Sequence, residues 1–492
     1  MCGILSIFET NNTGSELNIR RAVEGLESLH HRGPDSTNHR ALYNKRVFLG
    51  HVRLSILDLE GGDQPLSNVG NDIHAVVNGE FYNFEKLRVE LETKGHVFKT
   101  KSDSEILIHL YEEKGTACLE ELRGEFAFVL WDNRQKRLFA ARDRFGIKPL
   151  VWGWRGKQLY IASEAKALFR AGFPAKWDQE SVYFSFCSQY LQPNRTLFDG
   201  VNQVEPGHFL LAGSSSFTIR KYWDLDITAA KEDSEDEELL VAKVRKKLDE
   251  AVRLRLRADV PVACYLSGGL DSSAVLGVAK KVSGKALPCF SISFDDEMYD
   301  EKAIAVESAK FNGAELSVVG VSDQDLYDHF ASAVFHSEIL AVNRHGAAKL
   351  LLSKAVQDAG IKVVLTGEGS DEIFAGYPHF RSDMKKLFPE TELDLEKLSQ
   401  TNIVSKGILM PQGETLNTEF LKKRLGYVPT FLETKAGLGF RNQDFLNDDF
   451  IREHKGKNYF RSLLDQFFIG PCLLYTSPSP RDATLSRMPA SA

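Results

Sequence analysis

From about Val260 the chain alternates short apolar runs with helix-patterned stretches, and this alternation constrains the fold more than any other feature of the sequence. Val262-Ala-Cys-Tyr-Leu266 precedes a helix expected over 272–281. The run 287–294 precedes one expected over 300–311, and 361–365 is again short and largely apolar. Parallel strands need a long crossover, usually a helix, so this rhythm predicts βαβ units and a parallel sheet. The first ~200 residues are built differently. Runs at 46–53, 73–78, 124–131, 137–142 and 158–162 alternate or stay apolar, as stacked antiparallel sheets require, with helical stretches near 16–29, 84–94 and 104–114 to cover them. Between the two patterns, residues 229–238 are polar and acidic and read as a surface linker. Leu240, Val244, Leu248 and Val252 then mark one face of a helix. The expected organisation is an α+β domain over 2–210, a connector over 211–238 and an α/β domain over 239–471.

The 492 residues carry a net charge of -7, which gives no basic excess for nucleic acid. No apolar run approaches the ~20 residues of a membrane helix. The cysteines at 2, 118, 187, 264, 289 and 472 include no CxxC pair, which argues against zinc and disulfide frameworks and for a reducing, cytoplasmic setting. Cys264 and Cys289 fall in apolar strands and are expected in the core. The arginines from 253 to 257 alternate with leucines, as on an ion-paired helix face.

Cys2 follows the initiator methionine. Once Met1 is removed it carries both a thiol and a free α-amine, and an amine with pKa near ~8 can act as the thiol's base without a histidine. A thiol attacking a side-chain amide creates an oxyanion that preorganised donors must stabilise. Holding the amino-acid end of such a substrate takes a cation and anions. Arg53 is a candidate cation, and Asn78-Gly-Glu80 follows an apolar strand. Asp103 lies in Ser102-Asp-Ser-Glu105 at a helix start, and His31-Arg-Gly-Pro-Asp35 forms a rigid charged turn. Taken singly, Arg53 reads as a surface ion pair, Asp103 as an N-cap and Asn78 as a turn residue.

Ser267-Gly-Gly-Leu-Asp-Ser-Ser273 lies between an apolar strand and a helix, where backbone N–H groups and a helix N-terminus converge on one anion site. It is neither a Walker A loop nor GxGxxG. Asp271 offers oxygen to a hard cation such as Mg²⁺. The segment 365–376, Leu-Thr-Gly-Glu-Gly-Ser-Asp-Glu-Ile-Phe-Ala-Gly, also follows an apolar strand and by itself reads as an acidic loop.

Together with Asp143-Arg-Phe-Gly-Ile-Lys-Pro-Leu150 and Ala162-Ser-Glu-Ala-Lys-Ala-Leu168, these segments resemble glutamine-hydrolysing asparagine synthetases. The resemblance implies an αββα sandwich of the N-terminal-nucleophile type, then an adenine-nucleotide α-hydrolase-like domain. It makes Cys2 the nucleophile, Arg53 the glutamine carboxylate clamp, Asn78 and Gly79 the oxyanion hole, and Glu80 and Asp103 the ammonium acceptors. It places Leu266, Ser267, Gly268, Gly269, Asp271, Ser272, Ile292, Thr366 and Gly367 on ATP. Tyr299-Asp-Glu301 lies near that site, Glu368 supports the acyl-adenylate step, and Asp271 and Asp371 lie by Mg²⁺. The implied substrates are glutamine, aspartate and ATP, with no prosthetic group; a homodimer is among the family's assemblies. Relatives acting on other carboxylates, a fragment confined to glutamine hydrolysis and a decayed scaffold are the competing readings, the last opposed by the intact motifs. Residues 472–492 read as a non-native tail resembling a translated sequencing adapter. No late lysine and Arg-x-Pro-Phe-Leu-Asp-like string appears, Val428-Pro-Thr-Phe-Leu432 being a poor match, so the synthetase half is expected to be incomplete and its asparagine output low.

Overall fold

The computed structural model describes residues 1–10, 16–226, 236–296, 300–341, 343–390, 393–394, 414–454 and 456–467. Tyr299 and the tail expected at 472–492 lie outside the described residues.

The first half forms two six-stranded sheets. One runs, edge to edge, Val201–Gln203, Val151–Arg155, Gln158–Ala162, Gly3–Glu9, Val47–Arg53, Ser36–Leu42; the other runs Phe217–Lys221, His208–Ala212, Arg137–Arg142, Gly124–Asp132, Ile73–Phe81, Leu66–Ser67. Ile4, Phe8, Leu49 and Ile161 of the first sheet pack against Val76, Val129, Trp131 and Leu210 of the second. Helices Ile19–Glu27 and Ala165–Arg170 cover the outer face of one sheet, and Phe84–Thr93 and Ile106–Lys114 that of the other. The layering explains the sequence pattern. Gly3–Glu9 and Val47–Arg53 are buried along their whole length and read as apolar runs, whereas the edge strand Ser36–Leu42 alternates. The boundary expected at residue 210 falls inside strand His208–Ala212 and needs correction. A hairpin closed by Gly213 and Ser216 brings Phe217–Lys221 into the same sheet, so the domain extends through Lys221.

In the second half Leu316–Val321, Cys289–Phe294, Val262–Tyr265 and Val363–Leu365 form, in that order, an all-parallel sheet. Helices Leu270–Ser283 and Lys302–Asn312 cover one face and His345–Asp358 the other. Cys264 and Cys289 stand opposite each other in register, buried, and burial pushes their thiols up to about 12 and about 11. Their core placement agrees with the sequence. Helix Glu237–Arg255 does not bury its apolar face as expected. Val252 joins the core, but Leu240 and Val244 are 42% and 45% exposed and line a cavity between the halves.

The halves interlock. Helix Gln179–Ser188 leaves the first domain and packs Tyr183, Phe184 and Cys187 against Leu421, Leu432, Ala436 and Phe460. A Cβ at Gly439 would collide with the Cys187 carbonyl, so this crossing depends on glycine. Arg255 donates to Glu125 through Nε (3.0 Å) and Nη2 (2.8 Å), and Arg257 meets Glu85 (2.9 Å). Arg255 and Arg257 of the cluster are thus ion-paired as expected, but to the other domain rather than on a solvated face. Lys362 Nζ reaches Asp35 (2.7 Å).

Glu338 crosses the interface to accept N–H bonds from Ala165 (2.7 Å) and Lys166 (2.8 Å) at the first turn of Ala165–Arg170. Its side chain is 8% exposed, and Lys166 Nζ lies 3.2 Å away. Charge-assisted bonds of this kind contribute about 1.5–3 kcal/mol. Urea unfolding of Glu338→Ala should show that loss, with the transitions of the two domains moving apart as they uncouple.

Candidate active site

Cys2 sits where strand Gly3–Glu9 begins and lines one cavity with Asn78 of strand Ile73–Phe81. Its backbone is fixed by Arg32, fully buried, which donates Nε to the Cys2 carbonyl (2.9 Å) and Nη1 to Glu164 (2.7 Å). Glu164 also meets His31 (3.0 Å) and Lys166 (2.6 Å); burial would raise its carboxyl, but the Arg32 charge, the His31 hydrogen bond and the Lys166 charge hold it well below the usual range. The 31–35 turn therefore carries a buried ion network under the nucleophile, together with Asp35, which accepts the Ser55 N–H (2.7 Å).

The Cys2 thiol accepts the Leu54 N–H (3.3 Å). Burial raises its pKa, but the His51 imidazole beside it, through charge and a hydrogen bond, outweighs that and brings it down to about 7. His51 Nε2 lies 3.1 Å from the Val77 carbonyl, an acceptor only, so Nε2 carries a hydrogen and Nδ1 can take a proton. The sequence reading assigned no histidine here; the available signal was a lone polar ring inside the apolar run 47–53. The Met1 amine is buried, and burial lowers it to about 5.

Asn78 is 1% exposed, and neither its Nδ2 nor its Oδ1 has a hydrogen-bond partner, although it lines the same cavity as Cys2. It is mid-strand rather than in a turn. A buried orphan amide costs about 1–3 kcal/mol unless a ligand meets it. Gly79 has φ +151°, and a Cβ there would strike the Glu125 carbonyl across the sheet, so only glycine fits.

Ser102 supplies the N-cap expected of Asp103, accepting the Ser104 N–H (3.3 Å). Asp103 instead accepts the Phe81 N–H (2.7 Å), beside Glu80. Burial, then the charge of Asp103, pushes Glu80 up to about 7; burial pushes Asp103 up to about 6. Arg53, 6% exposed at its side chain, donates Nη1 to Leu59 O (3.2 Å) and Asp63 (3.2 Å), and Nη2 to Leu57 O (3.1 Å) and Asp58 O (2.6 Å). The loop 57–63 thus engages both Nη groups of the expected clamp.

The second constellation lies at the switch point of the parallel sheet. The chain adds Cys289–Phe294 and Leu316–Val321 on one side of Val262–Tyr265 and then returns to place Val363–Leu365 on the other, so the order reverses between these two neighbours and a crevice opens at their carboxyl ends. Both glycine-rich segments fall there. Gly269 caps helix Leu270–Ser283, and Ser267 and Ser272 bond each other through Oγ (3.1 Å). Gly268 has φ +86° and abuts Ala305, while a Cβ on Gly367 would lie 2.8 Å from the Asp271 carbonyl carbon. Leu266, Ile292, Thr366 and Glu368 line the same cavity, and Lys349 Nζ lies 3.7 Å from Glu368. Burial, then Glu372, raises the Asp271 carboxyl. The Asp371 carboxylate lies against Gly376, so Glu372 is the neighbouring acid whose charge reaches Asp271. Cys2, Asn78, Ser267 and Asp271 all open on one cavity of about 3800 Å³.

Residues 1–223 match the model of the glutamine amidotransferase domain, and 243–464 that of asparagine synthase. Similar curated proteins include the amidase chyE of Penicillium rubens, 40% identical over 85% of this chain and 66% of that protein. Asparagine synthetase [glutamine-hydrolyzing] 1 of Bacillus subtilis is 33% identical over 84% of this chain and 64% of its own length. Asparagine synthetase [glutamine-hydrolyzing] 2 of Arabidopsis thaliana is 32% identical over 92% and 76%. The chain thus spans just under two thirds of the length of the first two. With both domains in the same order and the sheets each requires, this chain belongs to the glutamine-hydrolysing asparagine synthetase family.

Proposed function

We propose that the protein is an ATP-dependent, glutamine-hydrolysing amide ligase, with a carboxylic acid as acceptor. The observation that carries the reading is the buried, unpartnered Asn78 amide on the cavity shared by the Cys2 thiol and the Ser267–Ser273 loop. In this reading the Cys2 thiolate attacks the side-chain carbonyl carbon of glutamine. Asn78 Nδ2 and the Gly79 N–H hold the oxyanion, ammonia leaves, and water releases glutamate from the thioester. His51 Nδ1 or, once Met1 is gone, the Cys2 amine takes the thiol proton and returns it to the departing nitrogen, which leaves as ammonia. Glu80 and Asp103 face the substrate ammonium, and the Arg53 guanidinium its carboxylate.

At the second site an acceptor carboxylate oxygen attacks the α-phosphorus of ATP and pyrophosphate departs. Ammonia, travelling through the shared cavity, then attacks the acyl carbon and AMP leaves. The activation is needed because a free carboxylate is a poor acyl donor. Ser267, Gly268, Gly269 and Ser272 cradle phosphate at the helix N-terminus, with Leu266, Ile292, Thr366 and Gly367 around the nucleotide. The paired acids Asp271 and Glu372, with Asp371 adjacent, fit a hard cation, and Mg²⁺ bound there would offset phosphate charge. Glu368, paired with Lys349, lies beside the acyl-transfer region. Aspartate is the first acceptor, giving β-aspartyl-AMP and asparagine in a cytoplasmic setting. The 40% identity to an amidase, above the 32–33% to the two synthetases, favours a different carboxylate as the second reading. No helix among the described residues is long and apolar enough to cross a membrane.

ATP–pyrophosphate exchange, measured with aspartate and with other carboxylates, tests the reading, with glutamate release followed separately. Aspartate-dependent exchange supports the first acceptor, and exchange only with another acid supports the second. Glutamate release without exchange for any acid would restrict the protein to glutamine hydrolysis.

A further inference from the structure

His96, His109 and Glu112 bring three ligand atoms together away from both sites, and they are the cluster of this kind among the described residues. His96 follows helix Phe84–Thr93; His109 and Glu112 lie one turn apart on Ile106–Lys114. The two Nδ1 atoms face each other at 3.1 Å. Glu112 Oε2 lies 3.5 Å from His109 Nδ1 and 3.8 Å from His96 Nδ1, while its other oxygen accepts from Asn68 (2.8 Å).

The outer nitrogens decide what can sit between the rings. His96 Nε2 is 3.0 Å from Glu113 and His109 Nε2 is 3.5 Å from Glu105. The Glu113 carboxylate calls for a hydrogen on His96 Nε2, whereas His109 Nε2 has no hydrogen-bond partner. The neutral His96 ring then presents its Nδ1 lone pair to His109 Nδ1. A hydrogen on His109 Nδ1 would satisfy that pair, but Glu112 Oε2 also faces both Nδ1 atoms, so three donor atoms converge on one point. Zinc bound at ~2.0–2.1 Å in tetrahedral geometry sets its ligand atoms roughly 3.3 Å apart, close to the separations here. The carboxylate behind an imidazole, as Glu113 stands behind His96, is also the outer-shell arrangement that orients zinc-bound histidines.

We propose that His96 Nδ1, His109 Nδ1 and Glu112 Oε2 form a site for a divalent transition-metal ion of the zinc class, with its fourth position open to water. The ion ties the helix to the segment 96–100. The Lys99 and Thr100 N–H groups donate to Glu105 (2.8 and 2.7 Å), and Asp103 lies between that segment and the helix. Occupancy therefore stiffens the loop that carries Asp103. The role is structural and does not depend on the acceptor.

The test uses the full chain without an affinity tag, carrying Cys2→Ala so that the thiol cannot bind metal, and stripped with chelator. Titration with Co²⁺ should give one equivalent and visible absorption of a four-coordinate site, displaced by Zn²⁺, and Zn²⁺ should raise the melting temperature. His96→Gln and Glu112→Gln should each weaken Zn²⁺ binding at least about 100-fold. Glu113→Gln, which keeps every ligand, should weaken it roughly 10–100-fold. Failure of the parent chain to bind either ion, or binding unchanged in these variants, overturns the site and leaves a hydrogen on His109 Nδ1 between the rings.

Discussion

Replacing Cys2 by Ala should lower glutamine hydrolysis by about 10⁴-fold or more, with the melting temperature unchanged. The thiol's hydrogen bonds are the long ones to the Leu54 N–H (3.3 Å) and Leu54 carbonyl (3.7 Å) and the one to His51, so its loss removes mainly chemistry. The companion substitution separates attack from stabilisation. Asn78→Ala leaves the thiol and its neighbour His51 in place and removes only the amide. If that amide receives the oxyanion, kcat should fall by about 10²–10³ with KM little changed. Removing an orphan buried amide should at the same time leave stability equal or higher, because no protein bond is lost. A catalytic loss accompanied by a large stability loss would instead make Asn78 a structural residue. Glutamate release and thermal melting, measured on the same preparations, distinguish the two outcomes.

The parallel sheet, both sandwich layers and the two glycine-rich segments were legible because each leaves a local trace. Buried strands such as Val47–Arg53 read as apolar runs, and a βα crossover enforces alternation. Relations made across the chain were not legible. Helix Gln179–Ser188 looks like part of the first domain until Cys187 is found against Gly439, and Glu338 gives no local hint that it caps Ala165–Arg170. The same holds within the site. His51 approaches Cys2 only because Gly3–Glu9 pairs with Val47–Arg53 in a register that sets Ile4 opposite His51. The hand-over of the N-cap from Asp103 to Ser102 depends on strand Ile73–Phe81 presenting the Phe81 N–H. Such features follow from strand pairing, which a single sequence does not display.

Glu80→Gln should stabilise the protein above neutral pH while weakening glutamine binding. Burial, then Asp103, raises the folded-state pKa of Glu80 from 4.5 to about 7. Between those values the native state holds a proton that the unfolded chain has released. Stability therefore falls as pH rises through that window, and the cost is complete above about 7. Glutamine cannot ionise, so the variant avoids that cost, at most about 3 kcal/mol. The gain in melting temperature should be clear at pH 8 and absent near pH 4.5. Binding should move the other way. Both acids are ionised at pH 8 and can receive an ammonium group, but protonation of Glu80 below about 7 and of Asp103 below about 6 removes the acceptors. Calorimetry of glutamine binding to Cys2→Ala, which does not turn over, should show affinity declining from pH 8 to 5.5, and Glu80→Gln in that background should flatten the upper part of the decline. A variant that gains stability at pH 8 but binds glutamine unchanged would show that the carboxylate strain at Glu80 serves something other than the substrate ammonium.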